Sequence, residues 1–123
     1  MTKAKYVDGF VLTIHKDNEA DYKKMARVGA KAWMKFGALS YKECKAEDAE
    51  PQNVAFTFPK MTKAKEGESV WFAFIEFKSR KHRDEVNKKV MEYFDKVYAN
   101  KEVPMPFDMK RMAYGGFKVE VSG

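Results

Sequence analysis

The chain has 123 residues, 45% hydrophobic and 15% aromatic, so it is long enough for one domain with a core and too apolar to be disordered. Lys and Arg number 24 against 18 Asp and Glu, giving a net charge of +6, but the cations are dispersed, which indicates solubility with a mild preference for anions. The single cysteine, Cys44, excludes an internal disulfide and fits a reducing cytoplasm. We expect one cytoplasmic domain over residues 1–123, with no membrane-spanning segment.

The first part of the chain predicts a strand, a helix and a second strand. Residues 6–14 are apolar at both alternating sets of positions, as in a central strand that is covered on two faces. A helix is predicted from a cap at Asp17 or Asn18 to Phe36, with an apolar stripe at three- and four-residue spacing. Residues 38–46 show the half-polar alternation that is typical of an edge strand.

A long connection then leads to a third strand. Residues 47–68 contain two prolines, a glycine and an isolated apolar run at 54–58, which predicts either a short strand or a loop clamp. Residues 70–77 are the most hydrophobic run in the chain. Like the first strand, this strand must be buried on both faces.

The last part predicts a helix and a fourth strand. Ser79 caps a helix that runs to about Tyr98, and Asn100 and Pro104 follow its end. The strand is predicted over residues 110–121. The apolar stripe of the helix consists of Val86, Val90, Met91, Phe94, Val97 and Tyr98.

This order of elements predicts an α+β fold, with a four-stranded antiparallel sheet, both helices on one face, and the first and third strands at its centre. Two helices cover one face only, whereas both central strands are apolar on two faces. Side chains assigned to the second face would therefore expose more apolar surface than a monomer usually tolerates. We expect a second copy of the chain to cover it, giving a homodimer. The side chains assigned to this face are Phe10, Leu12, Phe72 and Phe74.

Several motifs along almost the whole chain resemble those of a known family. They are Tyr6-Val7-Asp8-Gly9-Phe10, Phe36-Gly37-Ala38-Leu39, Glu43-Cys44, Ile75-Glu76, Met105-Pro106-Phe107-Asp108, Lys110-Arg111-Met112 and Tyr114-Gly115-Gly116-Phe117. In them the chain is similar to the YbaA-like family of domains of unknown function, within the dimeric α/β-barrel superfamily. The resemblance implies a ferredoxin-like βαββαβ fold and a barrel formed by the sheets of two subunits. It implies no established reaction.

Three carboxylates are candidate pocket residues. Carboxylates in an aromatic cavity could act as general bases or bind a cation. The alternative, which we favour for each carboxylate singly, is that they lie near strand ends, solvated or paired with Lys110 or Arg111. In our assignment of strand faces, the side chains that face the barrel are Asp8, Glu43 and Glu76, with Tyr6, Tyr41, Phe72 and Phe74.

Residues 104–117 carry the other candidates. Phe107 and Asp108 precede Arg111, which could present its guanidinium to an anionic ligand beside the Tyr114 hydroxyl. The structural alternative, which we favour, has Asp108 capping a turn or pairing with Arg111, and Gly115-Gly116 permitting a bulge or a close backbone approach. Since metal-ligand spacings, phosphate loops and nucleophile motifs do not occur, we expect no metal or cofactor and assign no catalytic residue.

The sequence leaves three functions open. The leading hypothesis is a homodimer that binds a small molecule in a mostly apolar cavity between its sheet and its partner, with or without enzymatic turnover. The barrel could instead be filled by the chain's own aromatic side chains, giving a structural dimer. Residues 72–77 also match six positions of the RNA-recognition signature, in which Phe72 and Phe74 would stack on bases, although Val70-Trp71 replaces the cation-glycine pair that opens it.

Overall fold

The computed structural model describes residues 3–99 and 101–123, so the helix stop predicted at Asn100 lies outside the described residues. Short 3-10 turns at Lys16–Asn18 and Met109–Arg111 precede the first long helix and the last strand. The elements in chain order are β1 (Tyr6–His15), α1 (Glu19–Lys35), β2 (Ser40–Lys45), α2 (Phe58–Thr62), β3 (Glu68–Phe77), α3 (Arg80–Val97) and β4 (Ala113–Lys118).

The four strands form one antiparallel sheet in the order β2-β3-β1-β4. The predicted central positions of β1 and β3 are confirmed, as is the edge position of β2. The β1–β4 register runs without interruption from Tyr6 opposite Lys118 to Val11 opposite Ala113. Gly115-Gly116 therefore forms no bulge within this pairing.

Local sequence explains where the long helices begin and end. The Ser79 hydroxyl accepts the backbone N–H of His82 at 3.0 Å and caps α3, as predicted. Asn18 occupies the N-cap position of α1. Beyond the end of α1, Gly37 has a φ of +112°, a backbone conformation that glycine adopts without strain.

The connection between β2 and β3 differs from the strand alternative predicted for residues 54–58. Thr57 caps α2 by accepting the N–H of Lys60 at 3.4 Å, and Pro59 lies in the first turn of this helix. Proline suits that turn because its missing N–H would have no helical partner there. The strand predicted over 110–121 is likewise shorter, since the turn at Met109–Arg111 precedes it.

Helices α1 and α3 pack on the same face of the sheet, which we call the helix face. One core cluster contains Tyr6, Ala32, Ile75, Phe77, Val86 and Val90. A second cluster, at the other ends of β1 and β3, contains Leu12, Ile14, Tyr22, Ala26 and Trp71. Phe10 packs against both clusters. The split arrangement with both long helices on one face is thus as predicted.

The opposite face, which we call the open face, carries Phe72 and Phe74 of β3. The assignment of Phe10 and Leu12 to this face is wrong, because Phe10 lies opposite Ala73 and Leu12 opposite Trp71 on the helix face. The side chains that share the open face in the strand register include Val7, Val11, Lys42, Cys44, Phe72, Phe74, Glu76 and Phe117.

The apolar stripe predicted for α3 is correct in its first part only. Val86 and Val90 are buried, whereas Met91 is 48% and Tyr98 36% exposed. Both of these exposed residues border the cavity described below. Within the described ranges, neither α1 nor α3 has the length and apolarity that a membrane crossing requires.

Candidate functional site

A cavity of about 520 Å³ lies between the helix face, α1, α3 and the segment 101–112 that leads to β4. We call it the helix-side cavity. The sheet contributes Phe10, Leu12, Ala73 and Ile75 to its wall. The sequence hypothesis instead placed a cavity between the open face and a partner.

Small and flexible side chains leave this space unfilled. Ala26 and Gly29 of α1 and Ala73 of β3 line the cavity where larger residues would occupy it. A Cβ atom at Gly29 would lie only 3.4 Å from the Tyr41 hydroxyl and 3.5 Å from the Trp33 ring. Four methionines also line the wall, and their unbranched side chains can adapt to the shape of a ligand.

The outer wall is held in place by Arg111 and Phe107. Arg111 Nη1 and Nη2 donate to Glu68 Oε2 and Oε1 at 2.7 and 2.9 Å. The Asp108 carboxylate accepts the N–H of Lys110 at 3.0 Å and caps the turn, as the structural alternative predicted. The Arg111 guanidinium is therefore engaged with Glu68 rather than with Asp108. Phe107 packs edge-on against Tyr22 at 5.6 Å between ring centroids and lines the cavity.

Glu43 of β2 forms the centre of a polar group in the mostly apolar wall. The Tyr22 hydroxyl donates to its Oε1 at 2.7 Å, and the Tyr41 hydroxyl donates to its Oε2 at 2.6 Å. Burial and the adjacent Glu43 carboxylate raise the pKa of both tyrosines far above the ordinary range. Both hydroxyls therefore stay protonated and remain donors to Glu43. We call these three residues the Glu43 clamp.

Asp8 belongs to a second polar group, on the β1–β4 side of the helix face. Its side chain is fully buried, and Arg83 Nη1 of α3 lies 2.7 Å from Oδ1. Tyr114 and Asn87 donate to Oδ2 at 3.2 and 3.3 Å. The Tyr6 ring lies beneath the guanidinium, 5.0 Å from Arg83 Cζ. These groups supply the cation and the hydrogen bonds that a buried carboxylate needs, so the arrangement has a structural role.

The assignment of Asp8, Glu43 and Glu76 to the barrel-facing side of the sheet is wrong for Asp8 and Glu43, which lie on the helix face, and correct for Glu76. Asp8 pairs with Ile75 across the β1–β3 register, so Glu76 points to the open face, where the Ser40 hydroxyl donates to it at 2.6 Å. Phe72 and Phe74 share that face, whereas Tyr6 and Tyr41 lie on the helix face. Of the seven candidate residues, Glu43 and Phe107 line the helix-side cavity.

Sequence reasoning missed Arg83 and Asn87 as partners of Asp8. They stand one helical turn apart on α3, beside the buried Val86 and Val90, and this spacing was the available signal. Tyr22 was recognised only as part of the apolar stripe of α1. In the part of the chain that the structure describes, no three His, Cys, Asp or Glu side chains converge in a metal-binding group.

Comparison with solved structures defines the class of fold. A crystal structure of a protein from an uncultured marine organism, described as a dimeric ferredoxin-like protein, superposes with a TM-score of 0.56. The match covers 98% of this chain and 100% of that one at 11% sequence identity. The chain is thus an α+β protein of the ferredoxin-like class, as predicted.

Comparison of sequences defines the family. The family model described as "Protein of unknown function (DUF1428)" matches residues 5–109. The uncharacterised protein YbaA of Escherichia coli strain K12 is 42% identical over 114 residues, which cover 93% of this chain and 95% of YbaA. YbaA of Shigella flexneri matches with the same identity and coverage. The chain belongs to this YbaA-like family of unknown function.

Proposed function

We propose that the protein binds a small molecule in the helix-side cavity and acts as a homodimer that pairs through its open faces. The observation that carries the binding proposal is a mostly apolar cavity whose wall includes a carboxylate, Glu43, held by two tyrosine hydroxyls. Binding pockets typically combine an apolar lining with a few oriented polar groups. The volume of about 520 Å³ falls in the range of about 300–1,000 Å³ that is usual for such pockets.

The homodimer is supported by the open face. Phe72 is 47% and Phe117 62% exposed, and the Phe72 and Phe74 rings pack edge-on at 5.5 Å. Exposed aromatic side chains that share one sheet face are typical of a surface that another molecule covers. The ferredoxin-like marine protein is itself described as dimeric. Because the helix-side cavity lies on the other face, each subunit would carry a complete cavity.

A cavity-blocking variant tests the binding proposal. The neutral fluorescent probe N-phenyl-1-naphthylamine should bind the wild-type chain saturably, with one probe per subunit. Val28 is exposed on α1 at the cavity wall, so Val28→Trp should weaken probe binding by about tenfold or more, which corresponds to about 1.4 kcal/mol. Lys31→Trp, on the same helix outside the cavity wall, is the matched control and should bind like wild type. Equal binding by both variants, or none by wild type, would contradict the proposal.

Light scattering at micromolar concentration tests the homodimer. Wild type should have the mass of a dimer, and Phe72→Glu should have the mass of a monomer because it places charge within the proposed interface. Met34→Glu is the control, since Met34 on α1 is as exposed as Phe72, at 47%. A monomeric wild type, or a dimeric Phe72→Glu variant, would reject pairing through this surface.

A second candidate is single-stranded RNA binding on the same open face. The exposed Phe72 ring beside Phe74, with Lys42 opposite Phe74 on β2, favours it as a stacking platform with a cation. This function requires a monomer, because the dimer would cover the rings. Salt-dependent RNA binding by a monomeric chain, abolished by Phe72→Ala, would replace the dimer proposal.

A further inference from the structure

We infer that the ligand of the helix-side cavity is an organic cation, namely a protonated amine on an apolar body, and that the Glu43 carboxylate binds its nitrogen. The inference rests on the proposed function, since it assigns a ligand class to the same cavity. It is carried by the hydrogen-bonding capacity of the Glu43 clamp, by the charge around it and by the aromatic rings beside it.

The Glu43 clamp presents acceptors only. Each carboxylate oxygen of Glu43 already accepts one hydroxyl proton, from Tyr22 or Tyr41, and keeps a further lone pair. Each tyrosine hydroxyl has used its one proton on Glu43, so that its oxygen can only accept. The indole N–H of Trp33, which also lines the cavity, is engaged with Asn87 Oδ1 at 2.9 Å. A ligand group that meets this part of the wall must therefore donate hydrogen bonds.

The direct hydrogen-bond partners of Glu43 are neutral donors, although Lys23, Arg27 and Lys45 line a neighbouring groove with it. Asp8, Glu19 and Glu68 lie within 2.9 Å of an arginine or lysine nitrogen. Among the residues that the structure describes, no Lys or Arg nitrogen lies at salt-bridge distance from Glu43.

Lys45 is the nearest cation on β2 that shares a sheet face with Glu43, since the adjacent Lys42 lies on the open face. The Lys45 ammonium group lies 2.9 and 3.1 Å from the two carboxylate oxygens of Glu19. A partly buried carboxylate without a cation is stabilised by a ligand that supplies one, whereas an anionic ligand would be repelled.

Aromatic rings next to the clamp suit a cation as well as an apolar body. Trp33 packs 5.9 Å from Tyr41 and 6.1 Å from Phe94, and all three line the cavity. The faces of such rings attract ammonium groups. The two other charged residues in the wall, Asp95 and Lys101, are exposed and of opposite sign. Their charges cancel, so the net charge of the wall is that of Glu43.

The test compares three probes that share one apolar body, a phenyl ring on four methylenes: 4-phenylbutylamine, 4-phenylbutanol and 5-phenylpentanoate, titrated by calorimetry into the full chain at neutral pH. The amine should bind about tenfold more tightly than the alcohol, and the acid more weakly than either. Glu43→Gln should remove the advantage of the amine, so that the amine and the alcohol bind this variant with affinities within about twofold of each other. Glu76→Gln, a carboxylate on the open face, is the matched control and should keep the wild-type order.

The order of the three affinities in wild type is decisive even if Glu43→Gln does not fold. If the alcohol or the acid binds as tightly as the amine, the ligand class is overturned and the cavity proposal stands. The same holds if N-phenyl-1-naphthylamine binds and none of the three does. An amine preference that persists in a folded Glu43→Gln variant overturns the role of Glu43. Failure of all four compounds to bind overturns the proposed function itself.

Discussion

Arg111 and Glu68 form a bidentate ion pair that ties the turn before β4 to the first residue of β3. The two nitrogen–oxygen distances are 2.7 and 2.9 Å, and Nη2 also donates to the Lys63 carbonyl oxygen at 3.1 Å. The hydrogen bonds from Arg111 lower the pKa of Glu68 to about 2, from an ordinary value of 4.5. The ionised form of Glu68 is thus the form that stabilises the fold.

This pair predicts a specific pH dependence of stability. Because the pKa of Glu68 is depressed in the folded state, its contribution is present above pH 4.5 and is lost as the pH falls to about 2. Glu68→Gln should lower the free energy of unfolding at pH 7 by about 1 kcal/mol, a value reduced by solvent screening. Urea unfolding at a series of pH values should show the difference from wild type shrinking between these limits. Glu66→Gln, an exposed neighbour, is the control, and a gap that does not change with pH would contradict the assignment.

A second prediction concerns the Asp8–Arg83 pair. Arg83→Met should destabilise the protein by about 3 kcal/mol or more, because it leaves the buried Asp8 carboxylate without its cation. Combining Arg83→Met with Asp8→Asn should cost less than the sum of the single variants, since the charge that needs a partner is then gone. Urea unfolding of the four proteins measures the coupling, with Arg80→Met on the exposed first turn of α3 as control. Strict additivity would show that the two groups do not interact.

A third prediction separates two adjacent glycines of β4. A Cβ atom at Gly116 would collide with the Tyr6 hydroxyl and lie 2.9 Å from Arg83 Nη1, so Gly116→Ala should cost about 1–3 kcal/mol. At Gly115 the same atom would lie 3.6 Å from the Phe117 ring, an ordinary contact, which makes Gly115→Ala the matched control. Thermal unfolding should place the Gly116 variant well below the Gly115 variant. Equal melting temperatures would mean that Tyr6 and Arg83 move aside without cost.

A fourth prediction uses Cys44 to report on the open face. Cys44 is exposed on β2 and lies opposite Phe72 in the register. If two open faces pair, the rate of alkylation by a maleimide should fall as the protein concentration rises through the dimer range. In Phe72→Glu the rate should stay high and independent of concentration. Equal rates in the dimeric and monomeric proteins would place the interface away from Cys44.

The order of the elements and the central strands could be predicted from the sequence, but the faces of the strands could not. Both β1 and β3 are apolar at alternate and at intervening positions, so the pattern does not tell which set faces the helices. The side-chain period of two makes the result depend entirely on register, and a shift of one residue reverses every side chain. The pairing of Asp8 with Ile75 rather than with Glu76 determines which face each side chain occupies, and only the structure shows that pairing.

The polar groups were only partly predictable for a related reason. Glu43 and Asp8 were identified as candidates because both were assigned to strand faces that would line an aromatic cavity. Their partners Tyr22 and Arg83 lie on helices, and Arg83 is 75 positions from Asp8 in the chain. An arginine in the first turn of a helix ordinarily lies in water, and helix docking alone brings this one to a buried carboxylate.

The side chains of strand β3 alternate between the two faces of the sheet. Ala73 and Ile75 line the helix-side cavity, and Phe72 and Phe74 alternate with them on the open face. Substitution at position 73 or 75 therefore changes the chemistry of the cavity, and substitution at position 72 or 74 changes the surface available to another macromolecule. Ligand selectivity and assembly can then be redesigned one at a time, by separate libraries that randomise the codons of these two alternating pairs.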